Sequence, residues 1–257
     1  MIRIAAVGDI HMGPDSQGVL RPAFETLPDC ADLLLLAGDL TRHGTPEEAR
    51  VVAREVKDLG VPVVAVLGNH DHHDEQPEEV TAILQDGGVQ VLEGQETVLE
   101  CANGRVGVAG TKGFCGGFAG RNAGEFGEPL MKEFVRYTRR CADGLRTALE
   151  RLGERDCDVR IALTHFSPVP DTLAGEPPEI YPFLGSYLLA EAIDTAGADL
   201  AVHGHAHAGT EHGMTSGGVR VRNVAQPVIG RAFHVYHLQV PDRVAAGSSA
   251  RPGPAGS

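Results

Sequence analysis

No apolar stretch reaches the roughly 18 residues that a transmembrane helix needs, so the sequence contains no candidate membrane span. Basic charge is scarce. Twenty-two Lys and Arg stand against 35 Asp and Glu, for a formal net charge of -13. That deficit argues against a protein that grips nucleic-acid phosphates with a broad basic surface, and a stable nucleic-acid complex is not expected. It leaves room for an enzyme that takes one phosphate at a local positive site, which bound metal ions would supply. Cysteine is sparse as well. Cys30, Cys101, Cys115, Cys141 and Cys157 are odd in number and widely spaced, and no pair has the short spacing of a zinc site. They read as free thiols in a reducing cytoplasm. The opening "MIRIAAVGDI" lacks a basic leader, and Gly8-Asp9 interrupts its apolar run, so it reads as a first strand rather than a signal peptide.

What is present suits an α/β protein. A chain of 257 residues can bury a sizeable core, and 33 Gly with 16 Pro imply many tight turns. "IRIAAV", "DLLLLAG" and "VPVVAVLG" are continuous apolar runs of the kind found in strands covered on both faces. Between the last two, "TPEEARVVAREVKDLG" predicts a helix with Thr45 as N-cap, Pro46 in the first turn and Gly60 as a stop. A second helix opens at Pro77 and ends at Gly87-Gly88, followed by three short strands in "VQVL", "ETVLEC" and "RVGVAG". A long helix is predicted from about 130 to 152. Beyond it, "VRIALTHFSP", "YLLAEAIDTAG", "ADLAVHGHAHAG", "GVRVRNVA" and "AFHVYHLQV" read as strand, helix, strand, strand and strand. No internal repeat or linker interrupts this order, so residues 1–241 read as one domain. Two Gly- and Pro-rich segments, 112–152 and 167–186, look like insertions able to cover a cleft. Residues 242–257 have no large apolar group to anchor them and read as a disordered tail.

Polar residues collect just beyond the apolar strands, where α/β proteins gather ligand-binding groups. Asp9 and His11 follow the first strand, Asp39 the second, and Asn69 and His70 the third. His165 follows "VRIALT", while His203, His205 and His207 end or follow "ADLAV". One aspartate after a strand is usually a turn or cap, and one histidine is usually a structural hydrogen-bonding group. Five strand ends, each closed by a metal-capable side chain, are poorly explained that way. Carboxylates and imidazoles without thiolates suit manganese, iron or zinc. A carboxylate can also bridge two such ions.

The motifs "GDIH" (8–11), "GDL" (38–40), "GNHD" (68–71), "TH" (164–165) and "GHAH" (204–207) together resemble, in this order, the motif set of calcineurin-like metallophosphoesterases. The resemblance implies a four-layer αββα fold, a central sandwich of two mixed β-sheets flanked by helices. It implies two metal ions, manganese or iron for preference and zinc as an alternative. One ion would be held by Asp9, His11, Asp39 and His207, the other by Asp39, Asn69, His165 and His205, with Asp39 bridging. The implied reaction is hydrolysis of a small phosphoester by a metal-activated bridging hydroxide attacking phosphorus in line. His70 would protonate the leaving oxygen, and Asp71 would orient its imidazole by accepting from the other ring nitrogen. Help for a poor alkoxide leaving group favours diesters. Monoester hydrolysis and a small nuclease activity use the same residues, and a metal-binding scaffold is the non-enzymatic alternative.

The remaining candidates rest on position alone. His43 and Arg121 could meet substrate, and Tyr181 and Phe183 could stack on a planar group, although each is equally at home in packing or a solvated loop. Alternation along the strand places His203 on the same side as His205, which suggests a supporting contact behind the ligands.

Overall fold

The computed structural model describes residues 1–240; the tail predicted to be disordered, 242–257, lies outside them. In chain order the strands are β1 (Ile2–Val7), β2 (Leu33–Ala37), β3 (Val63–Val66), β4 (Val89–Val91), β5 (Gln95–Cys101), β6 (Gly104–Thr111) and β7 (Gly117–Phe118). They continue with β8 (Arg121–Asn122), β9 (Val159–Thr164), β10 (Leu200–His203), β11 (His212–Met214), β12 (Arg220–Asn223) and β13 (His234–Leu238). Two large sheets result. One has the order β13-β1-β2-β3-β4 and the other β11-β12-β10-β9-β6-β5. Each has a parallel centre with antiparallel strands at its margin: β13 in the first, β11 and β5 in the second.

The alternation of side chains along each strand explains the layering. Ile2, Ile4, Leu33, Leu35, Val64 and Val66 point from the first sheet toward Val106, Val108, Ile161, Leu163 and Val202 of the second. The opposite face of the first sheet carries Val7, Leu34, Leu36 and Ala65, covered by Val52 and Val56 and by Val80 and Leu84. These come from the helices Pro46–Val56 and Pro77–Asp86. On the far face of the second sheet, Ala109, Ala162 and Ala201 meet Leu145, Leu149, Leu189 and Ile193. The helices Pro129–Gly153 and Tyr187–Ala196 supply that layer. The architecture is the four-layer αββα arrangement, and strands buried on both faces account for their unbroken apolar runs.

Local signals decide where the helices begin. Thr45 accepts from the Glu48 amide while the Glu48 carboxylate reaches back to the Thr45 amide, a reciprocal cap that opens Pro46–Val56. The long helix Pro129–Gly153 starts with Pro at its first position and packs most of its length on the second sheet. Much of segment 112–152 therefore forms an outer layer of the sandwich. Because β1, β2, β3 and β4 are parallel, and β6, β9, β10 and β12 likewise, each sheet gathers several strand C-termini at one edge. His165, after β9, reaches the Ala37 carbonyl at the end of β2, so these two edges meet.

Candidate metal centre

Every proposed ligand lies just past a strand. The turns after β1 and β2 are laced together, with the Asp9 amide donating to the Gly38 carbonyl at 2.9 Å and the His11 amide to the Asp39 carbonyl at 3.1 Å. Asp9, His11, Asp39 and His205 have φ of 56, 42, 50 and 71°. They are four of the six non-glycine residues with positive φ among the described residues. That conformation is costly for L-residues and concentrates at functional sites. Two motif glycines clear the space. A Cβ on Gly68 would strike Oδ1 and the backbone nitrogen of Asp39, and one on Gly204 would strike Oδ2 of Asp9.

The side chains converge as two groups that share one member. Ligand atoms of Asp9, His11, Asp39 and His207 lie within 4.8 Å of one another, and those of Asp39, His165 and His205 form a second such group. Asn69 joins the second, its Oδ1 3.0 Å from His165 Nε2. On the first side, His207 Nε2 is 2.8 Å from Asp9 Oδ1, while the His205 amide donates to Asp9 Oδ2 at 2.9 Å.

The donor set fits a cation. His165 is fully buried, and its Nδ1–H donates to the Ala37 carbonyl at 2.9 Å. Burial also drives its pKa well below the usual imidazole value, so Nε2 carries a lone pair rather than a proton. That lone pair faces Asn69 Oδ1 at 3.0 Å and Asp39 Oδ1 at 3.3 Å. No proton lies between these three acceptor atoms, and a cation among them would satisfy all three. Burial, reinforced by His165, lowers His205 to about 3. His205 Nε2 meets the Phe183 carbonyl at 3.3 Å, which would leave Nδ1 free to bind an ion. Burial pushes the Asp9 carboxyl up to about 6 with help from the Asp39 charge, even though His207 donates to it. The same hydrogen bond raises His207. Positive charge is what this buried carboxylate cluster lacks.

His70 and Asp71 part company. The His70 amide donates to Asp39 Oδ1 at 2.8 Å, and its ring packs edge-on against His11 at 4.6 Å between centroids. Its Nδ1–H donates to the Arg42 carbonyl at 2.8 Å. The expected Asp71–His70 pairing is therefore corrected: a backbone carbonyl orients the imidazole. Asp71 is completely buried and accepts from the Leu40, Thr41 and Gly68 amides and from the Thr41 hydroxyl at 2.6 to 3.2 Å. The short helical turn His70–His72 directs adjacent side chains apart, so the carboxylate ties the loops after β2 and β3 together. Burial and the Asp39 charge push it up to about 6 against those donors.

The outlying candidates take mixed positions. His43 is bound to Glu48 at 3.1 Å and more than half exposed. Arg121 is exposed on the β7–β8 hairpin and, among the described residues, makes no side-chain hydrogen bond or ion pair. Tyr181 donates to the Leu173 carbonyl at 2.9 Å. Phe183 is 61% exposed, and its link to the centre is its carbonyl rather than its ring. His203 is fully buried; its ring nitrogens meet the Gly204 carbonyl at 2.7 Å and the Thr172 hydroxyl at 2.8 Å. The strand ends at His203, and His205 adopts a left-handed conformation, so simple alternation does not carry across the turn.

One group near the centre was missed. Lys112 is 5% exposed, and its ammonium lies over the rings of Phe114, Tyr137 and Phe166 at 5.1, 5.4 and 5.4 Å. Phe166 in turn packs on His205 at 4.4 Å. The available signal was register: Thr111 of β6 pairs with Thr164 of β9, which sets Lys112 beside His165. Cys115, by contrast, is a buried thiol pushed up to about 11, unsuited to act as a nucleophile.

Comparison with known proteins places this geometry. A family model described as calcineurin-like phosphoesterase matches residues 2–209. A probable cyclic nucleotide phosphodiesterase of Synechococcus sp. is 37% identical over 92 residues, 32% of this chain and 34% of that protein. A similarly named protein of Fibrobacter succinogenes is 33% identical over 82 residues, 28% of this chain and 32% of that one. The matches thus span about a third of the length of these curated relatives. Among solved structures, phosphopantetheinyl hydrolase from Mycobacterium tuberculosis aligns with a TM-score of 0.64 at 17% identity, covering 97% of this chain and 98% of that one. TT1561 of Thermus thermophilus aligns with a TM-score of 0.57 at 20% identity, covering 86% and 88%. At these identities the structural likeness concerns the fold.

Proposed function

The chain belongs to the calcineurin-like phosphoesterase family, and from that premise we propose that it is a metal-dependent phosphoester hydrolase with a binuclear centre. The observation that carries this reading is the sharing of Asp39 between two groups of ligand atoms. Asp9, His11, Asp39 and His207 would hold one ion, and Asp39, Asn69, His165 and His205 the other, manganese or iron for preference and zinc as an alternative. Two such ions supply Lewis acidity for phosphoryl oxygens and a nucleophile at neutral pH.

The protein's own groups complete the chemistry. His70 is fixed by its Nδ1–H donating to the Arg42 carbonyl, and in the doubly protonated imidazolium form it would deliver the Nε2 proton to the leaving oxygen and end as the neutral ring. Asp39 Oδ1 accepts from the His70 amide, so the bridging carboxylate and the proton donor are positioned by one contact. Asp71 acts at one remove by clamping the loops that present Asp39 and Asn69. Diesters are the favoured substrates because a poor alkoxide gains most from protonation, and both curated relatives are named as probable cyclic nucleotide phosphodiesterases. Segments 112–152 and 167–186 would contribute to substrate choice. Five free thiols and the lack, among the described residues, of a helix long and apolar enough to cross a membrane support a cytoplasmic location.

The test is hydrolysis of bis(4-nitrophenyl) phosphate and 4-nitrophenyl phosphate with added manganese. Faster release from the diester, abolished by chelation and restored by manganese, is the expected result. No metal-dependent release from either ester would contradict the reading.

A further inference from the structure

Buried charge is costly, and folded proteins pair nearly all of it. Lys112 is an exception. It is 5% exposed, yet among the described residues its side chain makes no hydrogen bond or ion pair. The rings of Phe114, Tyr137 and Phe166 surround the ammonium and hold it by cation–π attraction. A ring is no strong acceptor, so the three N–H groups keep their hydrogen-bonding capacity. Arg146 Nε is the one wholly buried side-chain nitrogen or oxygen without a partner among the described residues. The Lys112 tip therefore retains a small contact with solvent.

No carboxylate neutralises this charge by contact. Glu93 is committed elsewhere, accepting from the Thr111 hydroxyl at 2.7 Å and from the Lys112 backbone amide at 2.9 Å. Burial lowers the Lys112 pKa, while Cys141, Glu93, Cys115 and Asp39 act the other way. Arg140, the other cation on the Tyr137 ring, is 58% exposed and paired with Glu133 at 2.6 Å. The backbone fixes Lys112 beside the second group of ligands. Its carbonyl accepts from the His165 and Phe166 amides at 3.0 and 3.1 Å. Phe166 touches both sides, with the ammonium 5.4 Å from its ring and the His205 ring at 4.4 Å.

We propose that Lys112 is a specificity-determining residue: its ammonium adds a fixed positive charge beside His165 and His205, and so favours esters that carry more negative charge. The effect acts through space and requires no contact with substrate. It rests on the phosphoesterase reading for its substrate, but its physical basis can be tested without turnover. Coulomb energy is proportional to the charge of the ligand, so loss of the ammonium should cost a dianion twice the free energy that it costs a monoanion. In rate or affinity, the second factor is the square of the first.

Lys112→Met keeps an apolar stem in the cage and deletes the charge. At about pH 8, bis(4-nitrophenyl) phosphate carries one negative charge and 4-nitrophenyl phosphate carries two. With manganese bound, K112M should lower kcat/KM about threefold for the diester and about tenfold for the monoester, chiefly by raising KM. Lys112→Gln, polar but uncharged, should give the same pair of losses. Calorimetry of the manganese-loaded protein with inorganic phosphate should show binding weakened about tenfold in K112M. Manganese content should stay at the wild-type value. Urea titration of the metal-free protein separates charge from packing. K112M should unfold at the same urea concentration as the wild type or a higher one, because it no longer buries an unpaired charge. Equal losses for the two esters, no loss for either, lost manganese, or a lower unfolding midpoint in K112M would overturn the inference. If the wild type cleaves neither ester, the phosphoesterase reading fails and the phosphate titration decides alone. Weaker phosphate binding in K112M would then support a role for Lys112 in drawing anions, and equal binding would overturn it.

Discussion

The two halves of the Asp/His centre differ in their exposure to water. The half built on Asp9 and Asp39 is completed by His11 and His207, whose side chains are 25% and 44% exposed. The half built on Asp39 and Asn69 is completed by His205, which is half-buried, and by His165, which is 0% exposed and anchored through Nδ1 to the end of a neighbouring strand. An ion in the first half could exchange with solvent by swinging one histidine aside. An ion in the second would keep one ligand that cannot swing aside unless a buried imidazole parts from a strand-end carbonyl. A ligand fixed in a buried position slows release, so the first half should exchange its ion faster. Asp39 couples them.

The largest effect should therefore come from removing that coupling. Asp39→Ala should abolish metal uptake in both halves and reduce turnover by about 10⁴-fold or more, since it removes the shared anion of the centre. Metal analysis beside a diester assay checks this, and retention of one full equivalent of metal would show that the halves are independent. His70→Ala should keep both ions and lower turnover by about 10² to 10⁴-fold, the scale of general acid help. Loss of an ion in H70A would make His70 a ligand instead.

The strand ends that carry the ligands could be read from the chain itself, because buried parallel strands leave unbroken apolar runs and the polar groups begin where those runs stop. The same runs and the helix patterns between them fit an α/β protein, while the four layers came from the resemblance of the ordered motifs to a known family. What escaped was geometry set by contacts distant in sequence. Asp71 sits next to His70, and adjacency suggested a relay. The turn His70–His72 instead points the carboxylate at amides from Leu40 and Thr41, some 30 residues away. Lys112 reaches the centre only through the pairing of β6 with β9. The contact of His203 with Thr172 spans 31 residues, and no local pattern announces it.

Asp71 also offers a sharper test of positioning against chemistry. Asp71→Asn replaces one acceptor with an amide nitrogen that faces donors, and should destabilise the protein by about 2 to 4 kcal/mol in denaturant titrations. Its effect on turnover should be smaller than that of H70A. Equal losses would restore a direct role for the carboxylate.

The smallest effect should come from the opposite end of β2. Asp32 accepts from the Arg3 amide and guanidinium at 2.8 Å each, far from the metal ligands. Burial opposes its ionisation, yet the Arg3 hydrogen bonds outweigh it and hold the carboxyl below its usual 3.8. A folded-state pKa below the unfolded one contributes stability above the ordinary carboxylate range, and that contribution disappears as pH falls through the folded value. Asp32→Asn should therefore cost about 1 to 2 kcal/mol at pH 7, with a difference from wild type that narrows below pH 4. Metal content and turnover should not change. A D32N protein that loses metal would mean that the two ends of β2 are not independent.

The central claim is a centre of two ions joined by Asp39, and manganese stoichiometry tests it most directly. The wild-type chain, saturated with manganese, freed of excess ion and analysed for metal, should hold two ions per chain, one of which a chelator removes well before the other. A single ion at saturation, or none, would contradict the account.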